Sequence, residues 1–394
     1  MNLIKIPNKI NNDTIEDLLK QVNNASSDSD LEVPVEFNYR GFGIIPSLFL
    51  VFFTWVRKCK GKLIIPIDAA DNAAIESFVN DYFGYTLLST IWKSTEIVNT
   101  EGVSLKDQCR KYTGKMHNKI DFFSDLPNES LLIPCFDHYS KEKGLSHWFY
   151  INDFKFAASP SVLSNTVYRI FEYLGRIYKN KINTSTTKSL DDLQTIVWEL
   201  LKNTDDHAKK DYLNQTELSP NTRGVFFRIH RSSKAKFIEH ANKHKGLEKY
   251  YNSALNEAEN FILEISVFDS GQGMVKRFLG KNWTDNVTTE EEVNTIKKCL
   301  IKGITSVSGF QGKHKGFGLD NVLQTLDTHK GFLRIRSGNV SLYRDLIESP
   351  YIETKEIEKV ELKDWQSCKT DYFTKINFTE GTLITMAYPI NEMK

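Results

Sequence analysis

Residues 199–208 read Glu199-Leu-Leu-Lys-Asn203-Thr-Asp-Asp206-His207-Ala208 and close an apolar-periodic run that begins near Leu190. The periodicity predicts a helix over 190–204. On it Glu199 and Asn203, four apart, share one face, with Asp206 and His207 a further turn along. A carboxylate and a carboxamide facing one way can divide labour. The amide oxygen is a hard ligand suited to Mg²⁺, while the ionised carboxylate can accept a proton from a water held near a metal-bound phosphate.

Two further clusters lie downstream. In Val267-Phe-Asp269-Ser270-Gly271-Gln-Gly273-Met274 a β-favouring run ends in an acid and two alternate glycines, so the chain turns with little bulk beside Asp269. A carboxylate there can accept a hydrogen bond from an exocyclic amine such as that of adenine. In Gly312-Lys313-His-Lys315-Gly316-Phe317-Gly318-Leu319-Asp320-Asn-Val322, glycines give way to a helix predicted over 318–326. Backbone amides at such a start form an anion site, to which Lys313 or Lys315 adds charge. With Gly303, Ser306 and Gly309 upstream, residues 270–315 read as a long glycine-bearing loop and mobile lid. The pattern is neither a Walker motif nor a dinucleotide fingerprint. Singly, each cluster is an ordinary feature: a solvated helix face, an Asp-Ser-Gly turn, a glycine trio before a helix.

Their order and spacing carry more. Glu-x-x-x-Asn on a helix, a strand ending in Asp-x-Gly-x-Gly, Gly-x-Gly-Leu opening a helix, and Gly381-Thr382 leading the last strand together resemble the GHKL superfamily of gyrase, heat-shock chaperone, histidine kinase and mismatch-repair ATPases. The likeness covers about residues 185–390. It implies the Bergerat ATP-binding fold, a two-layer α/β sandwich that binds ATP through Mg²⁺ under a flexible lid. Carried over residue by residue, it makes Glu199 the water-activating base, Asn203 the Mg²⁺ ligand and Asp269 the adenine reader. Gly271, Gly273 and Met274 then belong around the base, and Lys313, Gly316, Phe317, Gly318 and Leu319 toward the phosphates. Thr382 supports the adenine-binding acid. Asp206 stands where histidine kinases usually carry lysine, and His207 is of the kinase and anti-sigma kind, so the helix end does not choose a branch. The helix predicted over 162–178 contains no histidine to accept a phosphoryl group.

Ahead of this half, short strands and helices alternate: strands over 3–7, 33–39 and 62–67, helices over 14–22, 46–59 and 72–83. Rotation of strand and helix favours a small α/β layer. It resembles the STAS domain (sulfate transporter and anti-sigma-factor antagonist) over about 90 residues. There a helix can begin at a regulatory serine, a place taken here by Ser47. Residues 23–30 and 103–121 read as loops. The organisation expected is an α/β STAS-like domain over 1–125, a connecting segment with a helix over 126–184, and the ATPase-like domain over 185–394, with a hinge at 180–187.

Composition bounds the rest. The chain has 394 residues, 40 % of them hydrophobic, and 51 basic against 50 acidic side chains, so no global field draws it to nucleic acid or anionic lipid. Five cysteines without CxxC spacing argue against a disulfide scaffold and a thiolate zinc site. No export signal is legible at the start, and the apolar stretch 44–56 is too short to span a bilayer, which points to a cytoplasmic protein without membrane partners. The charged segment 231–260 interleaves Lys234, Lys236, Lys243, Lys245 and Lys249 with Tyr250 and Tyr251, a composition that can hold nucleic acid, although its glutamates favour a solvated helical insert. His240 and His244 have ligand spacing but no third ligand nearby. The expectation is an Mg²⁺-dependent ATPase whose lid closure switches the N-terminal module, with ATP and ADP as ligands and a protein partner or self-association through that module. The alternatives are an anti-sigma-type serine/threonine kinase and a nucleotide-gated sensor without turnover.

Overall fold

The computed structural model describes residues 3–39, 41–126, 129–178, 187–241, 243–303 and 318–390. The N-terminal part runs β1 (Leu3–Lys5), β2 (Lys9–Ile10), α1 (Asn12–Asn24), β3 (Asp30–Glu32), β4 (Asn38–Tyr39), α2 (Ile44–Lys58), β5 (Leu63–Ile64), α3 (Asn72–Asn80), α4 (Tyr82–Ile91), β6 (Ile97–Val98) and α5 (Lys106–Phe122). Strands β1, β3, β5 and β6 pair in that order, every pairing parallel. A sheet that grows one parallel strand at a time through right-handed crossovers collects its helices on one face. β2 and β4 form a separate parallel pair.

Local chemistry explains where these elements start and stop. Asn11 caps α1 by accepting from the Thr14 amide at 2.9 Å, and Ile15, Leu18, Leu19 and Val22 form its buried stripe. The strand expected over 33–39 is not continuous: β3 ends at Glu32, ahead of it, Pro34 lacks a ladder donor, and only β4, Asn38–Tyr39, falls within that span. The helix expected over 72–83 breaks at Asp81, whose carboxylate accepts from the Phe83 and Gly84 amides and so starts α4. Residues 103–121, expected as a loop, are largely α5. Its inner stripe of Cys109, Tyr112, Met116 and Ile120 is correctly spaced for a helix but was masked by the charges around it.

The rest of the chain runs β7 (Ser130–Phe136), α6 (Lys141–Gly144), β8 (Tyr150–Ile151), β9 (Lys155–Phe156), α7 (Ser164–Gly175), α8 (Thr187–His207), β10 (Thr222–Ser233), α9 (Lys234–His240), α10 (Lys245–Ala254), β11 (Glu259–Asp269), α11 (Met274–Leu279), α12 (Thr289–Cys299), α13 (Gly318–Thr328), β12 (Phe332–Gly338), β13 (Val340–Asp345), β14 (Lys363–Asp364) and β15 (Thr379–Ile390). The large sheet has the order β14-β13-β12-β15-β11-β10-β7, with every neighbouring pair antiparallel. Segment 126–184 therefore supplies its edge strand β7 and, through α7, a helix packed on α8. The hinge expected at 180–187 lies almost wholly outside the described residues.

Both faces of this sheet are covered. On one lies α8, flanked by α7 and α13. On the other lie α2 and α4: Phe49 meets Phe268 with ring centroids 4.7 Å apart, and Tyr82 meets Phe226 edge-on at 6.2 Å. This explains why every residue of α2 from Ile44 to Trp55 is buried, since the helix is an inner layer. Polar ties reinforce the contact. Arg336 on β12 lies 3.4 Å from Glu16 of α1, and Arg334 donates to Asn12 at 2.8 Å. Ser47, the serine at the start of α2, is 2 % exposed and donates to the Gly43 carbonyl at 2.6 Å, so it is closed to a modifying enzyme.

The segment 231–260 folds mainly as α9 and α10, packed over β12, β13 and β15 of the large sheet. Tyr250 and Tyr251 are buried there, in a second apolar cluster with Phe237, Phe332 and Tyr343, and so are not free to stack on bases. Lys234 and Lys249 pair with Glu257 and Glu348. His244 accepts from the Leu247 amide at 3.0 Å and donates through Nε2 to the Trp365 carbonyl at 2.6 Å, which occupies both ring nitrogens. Among the described residues no group of His, Cys, Asp and Glu is arranged to hold a metal ion, all five cysteines are free thiols, and no helix is long and apolar enough to cross a membrane.

Candidate functional site

A single transverse row organises the site. Cys135, Arg223, Asp269, Thr382 and Ser337 are successive register partners on β7, β10, β11, β15 and β12. Directly opposed residues of antiparallel strands point to one face. That face is the one under α8. Ser337 Oγ lies 3.3 Å from Thr382 Oγ1 and accepts from the Met274 amide at 2.9 Å, which fixes the start of α11 beside the row.

At the centre of the row, Asp269 is 8 % exposed. Its carboxylate accepts from the Gly271 amide at 2.8 Å. Burial pushes the Asp269 carboxyl up to about 7, against the amide bonds from Gly271 and Thr382 and the charge of Arg223. The turn after it needs its glycines. A Cβ on Gly271 would stand 2.9 Å from Asp269 Oδ1 and 3.0 Å from Ala208 Cα, while Gly381 holds φ at +81° with its amide donating to the Gly271 carbonyl at 2.6 Å. Ser270 is held by the neighbouring strand end: its hydroxyl donates to Asn221 Oδ1 at 2.7 Å and accepts from the Thr222 amide at 2.8 Å.

Ala208 follows directly on α8, and about one and a half and two and a half turns earlier the same helix presents Asn203 and Glu199. Both face the first residue of α13. A Cβ on Gly318 would lie 2.8 Å from Glu199 Oε2 and 3.3 Å from Asn203 Nδ2. Asn321, one turn into α13, donates to Glu199 Oε1 at 2.8 Å. Burial raises the Glu199 carboxyl above its ordinary range, and the Asn321 bond partly offsets that. The Asn203 amide is half-buried with no hydrogen-bond partner among the described residues.

What clamps the end of α8 onto the sheet is an ion network. Arg223, 1 % exposed, makes a two-pronged bond to Asp137 at 2.8 Å and lies 3.1 Å from Asp205 of α8. Tyr150 hydrogen-bonds both Arg223 and Asp205. Against the upward push of burial, the Arg223 charge holds Asp205 below its ordinary value. Such a buried network is retained because removing either partner strands a charge.

The structure thus brings Glu199, Asn203 and Gly318 to one end of a stretch of α8, and Asp269, Gly271, Gly273, Met274 and Thr382 to the other. Leu319 packs partly buried on the core beside Gly318. Asp206 is drawn into an i,i+4 ion pair with Lys202, and His207 is half-buried at the helix end. Lys313, Gly316 and Phe317 lie outside the described residues. The segment expected as a bare lid carries α11 and α12. The latter has a Thr288–Glu291 capping box, and its Glu292 accepts from the Asn339 side chain at 2.7 Å, which ties it to the β12–β13 turn. Sequence reasoning missed Asn321, Arg223, Asp137, Asn221 and Ser337. Asn321 alone had a local signal, its place three residues after Gly318. No protein-family model, curated protein or solved structure matches the chain.

Proposed function

We propose that the chain is an Mg²⁺-dependent ATP-binding protein of the GHKL type, with a Bergerat-like nucleotide domain whose hydrolysis of ATP switches a STAS-like N-terminal module. The observation that carries this reading is the meeting, along α8, of three sequence-distant clusters: Glu199–Asn203, Asp269–Gly271 and Gly318. In this reading Asp269 accepts the exocyclic amine of adenine. Gly271 and Gly273 leave the ring room, and the start of α13 turns its amides to the phosphates.

Mg²⁺, when bound, neutralises phosphate charge and orders the surrounding water. The Asn203 amide oxygen fits as its protein ligand, being hard, half-buried and without a partner among the described residues. Glu199 takes the proton of the attacking water as the bond from the γ-phosphorus to the ADP oxygen breaks. Burial makes Glu199 a better base than a free glutamate, and Asn321 fixes its orientation. Arg57 of α2 donates to the Ser270 carbonyl at 3.2 Å, a direct path from the nucleotide loop to the N-terminal module.

Incubation of the full chain with Mg²⁺ and γ-labelled ATP tests the reading. Label released as free phosphate supports it. Label on protein favours the anti-sigma-type kinase, and tight binding with neither favours a sensor.

A further inference from the structure

Toward the opposite end of β10 from the Arg223–Asp269 row, a cavity of about 740 Å³ opens between the N-terminal module, the sheet and the α9–α10 insertion. Arg228 and His230, two apart on β10 and so on one face, line it. This is the face turned to the N-terminal module, away from α8. Arg228 is half-buried, and its guanidinium has no hydrogen bond or ion pair among the described residues. The buried arginines elsewhere do not share that condition: Arg223, Arg334, Arg336 and Arg344 each donate to named acceptors. Arg228 even has an acid as its register partner, Glu264, yet no ion pair joins them. Glu264 is answered instead by His230 Nε2 at 2.7 Å and by the Ser266 hydroxyl at 3.2 Å. The cation is left over, facing a cavity.

Of the remaining walls, Phe42, Phe237 and Tyr251, all buried, give an apolar aromatic side that suits the body of a ligand, and His240 stands exposed at the rim. The two acids of the lining are exposed, Glu239 and Glu129, the latter accepting from the Tyr178 hydroxyl at 2.6 Å. A guanidinium offers parallel N–H groups that match the oxygens of a carboxylate or phosphate, and it gains most where water is partly excluded. The geometry points to a second ligand site, for a small molecule bearing a carboxylate or phosphate on a flat apolar body. Arg228 takes the anionic oxygens and the aromatic wall takes the ring. Because the walls come from the module, the sheet and the insertion at once, occupancy ties the three together. The site stands independently of the nucleotide reading.

Calorimetric titration of the full chain with phenyl phosphate and with benzoate, using phenol as the uncharged control, tests this. One of the two anions saturates at one per chain while phenol gives no measurable binding, and the preferred anion tells phosphate from carboxylate. Arg228→Met weakens that binding about tenfold or more, and Arg228→Lys restores part of it, with thermal melts showing both variants folded. Failure of both anions to saturate by about 10 mM, a level that ring-sized ligands in a real site reach, overturns the proposal. So does binding unchanged in Arg228→Met. Binding that vanishes in Asp269→Asn or under excess ATP places the probe in the nucleotide site and overturns it too, whereas probe binding without any ATP binding upholds this site and rejects the other.

Discussion

Asn321 donates to Glu199 Oε1 at 2.8 Å, joining the carboxyl on α8 to the helix that Gly318 opens. A donated hydrogen bond favours the ionised carboxylate and so lowers its pKa. Replacing Asn321 by leucine leaves burial unopposed and raises the Glu199 pKa further. Since a base must be ionised to act, the acidic limb of the kcat–pH profile moves to higher pH in Asn321→Leu. An unmoved limb contradicts the pairing.

In the proposed ATPase, Glu199→Ala removes the base itself. Turnover falls by about 10²–10⁴-fold, the range general-base catalysis supplies, while nucleotide affinity stays within about threefold. Single-turnover hydrolysis alongside equilibrium binding separates the two. Full hydrolysis by this variant takes Glu199 out of the role.

On the proposed reading, Asp269 makes nucleotide binding depend on pH. Accepting an amine requires the carboxylate, and its carboxyl sits near 7 in the free protein, up from an ordinary 3.8. ATP affinity therefore rises as pH climbs through about 7 and levels off above it, with proton release on binding that calorimetry in buffers of different ionisation enthalpy detects. The same residue sets a stability trend of known sign. Its folded-state pKa is raised, so its contribution is fully present below about 4 and is lost as pH rises through about 7. Asp269→Asn escapes that loss. At pH 8 it needs more urea to unfold than the parent, yet binds ATP at least about tenfold more weakly. Equal midpoints at pH 8 contradict the burial argument.

Gly381→Ala tests the turn that backs Asp269. With φ at +81° and an added Cβ falling onto the Asp269 carbonyl, the variant loses about 2 kcal/mol or more of stability in urea titrations. A neutral result shows that β15 can shift without cost.

Phe49→Ala probes the layer between the module and the sheet. The ring is fully buried against Phe268, Phe53 and Phe83, so truncation costs about 3–5 kcal/mol. Because α2 is an inner layer shared by both sheets, the loss appears as one earlier cooperative transition. A second, unshifted transition shows the halves unfold separately.

The α/β alternation was legible in outline, α8 and α13 through their 3.6 period, and β10, β11 and the final strand as β-favouring apolar runs bounded by glycine or polar residues. Residues 44–56 announced a buried helix, but nothing local says that its second cover is a sheet whose strands β11 and β15 lie more than two hundred positions away. The α5 stripe of Cys109, Tyr112, Met116 and Ile120 was obscured by flanking lysines. At the site, Glu199, Asn203 and Asp269 are ordinary residues taken singly and stood out only through the order and spacing of their clusters along the chain. The parts that hold them did not. Arg223 reads as one arginine in an apolar strand, and only the register of β10 against β7 and β11, with α8 packed over that face, brings it to Asp137, Asp269 and Asp205. Arg228, five residues further on and so on the opposite face, looks the same in sequence but has no partner among the described residues.

Calorimetric titration of the full chain with ATP and Mg²⁺ tests the central claim most directly. The account predicts saturable binding at one nucleotide per chain, lost in Asp269→Asn and kept in Glu199→Ala. A flat titration, or binding indifferent to Asp269, contradicts it.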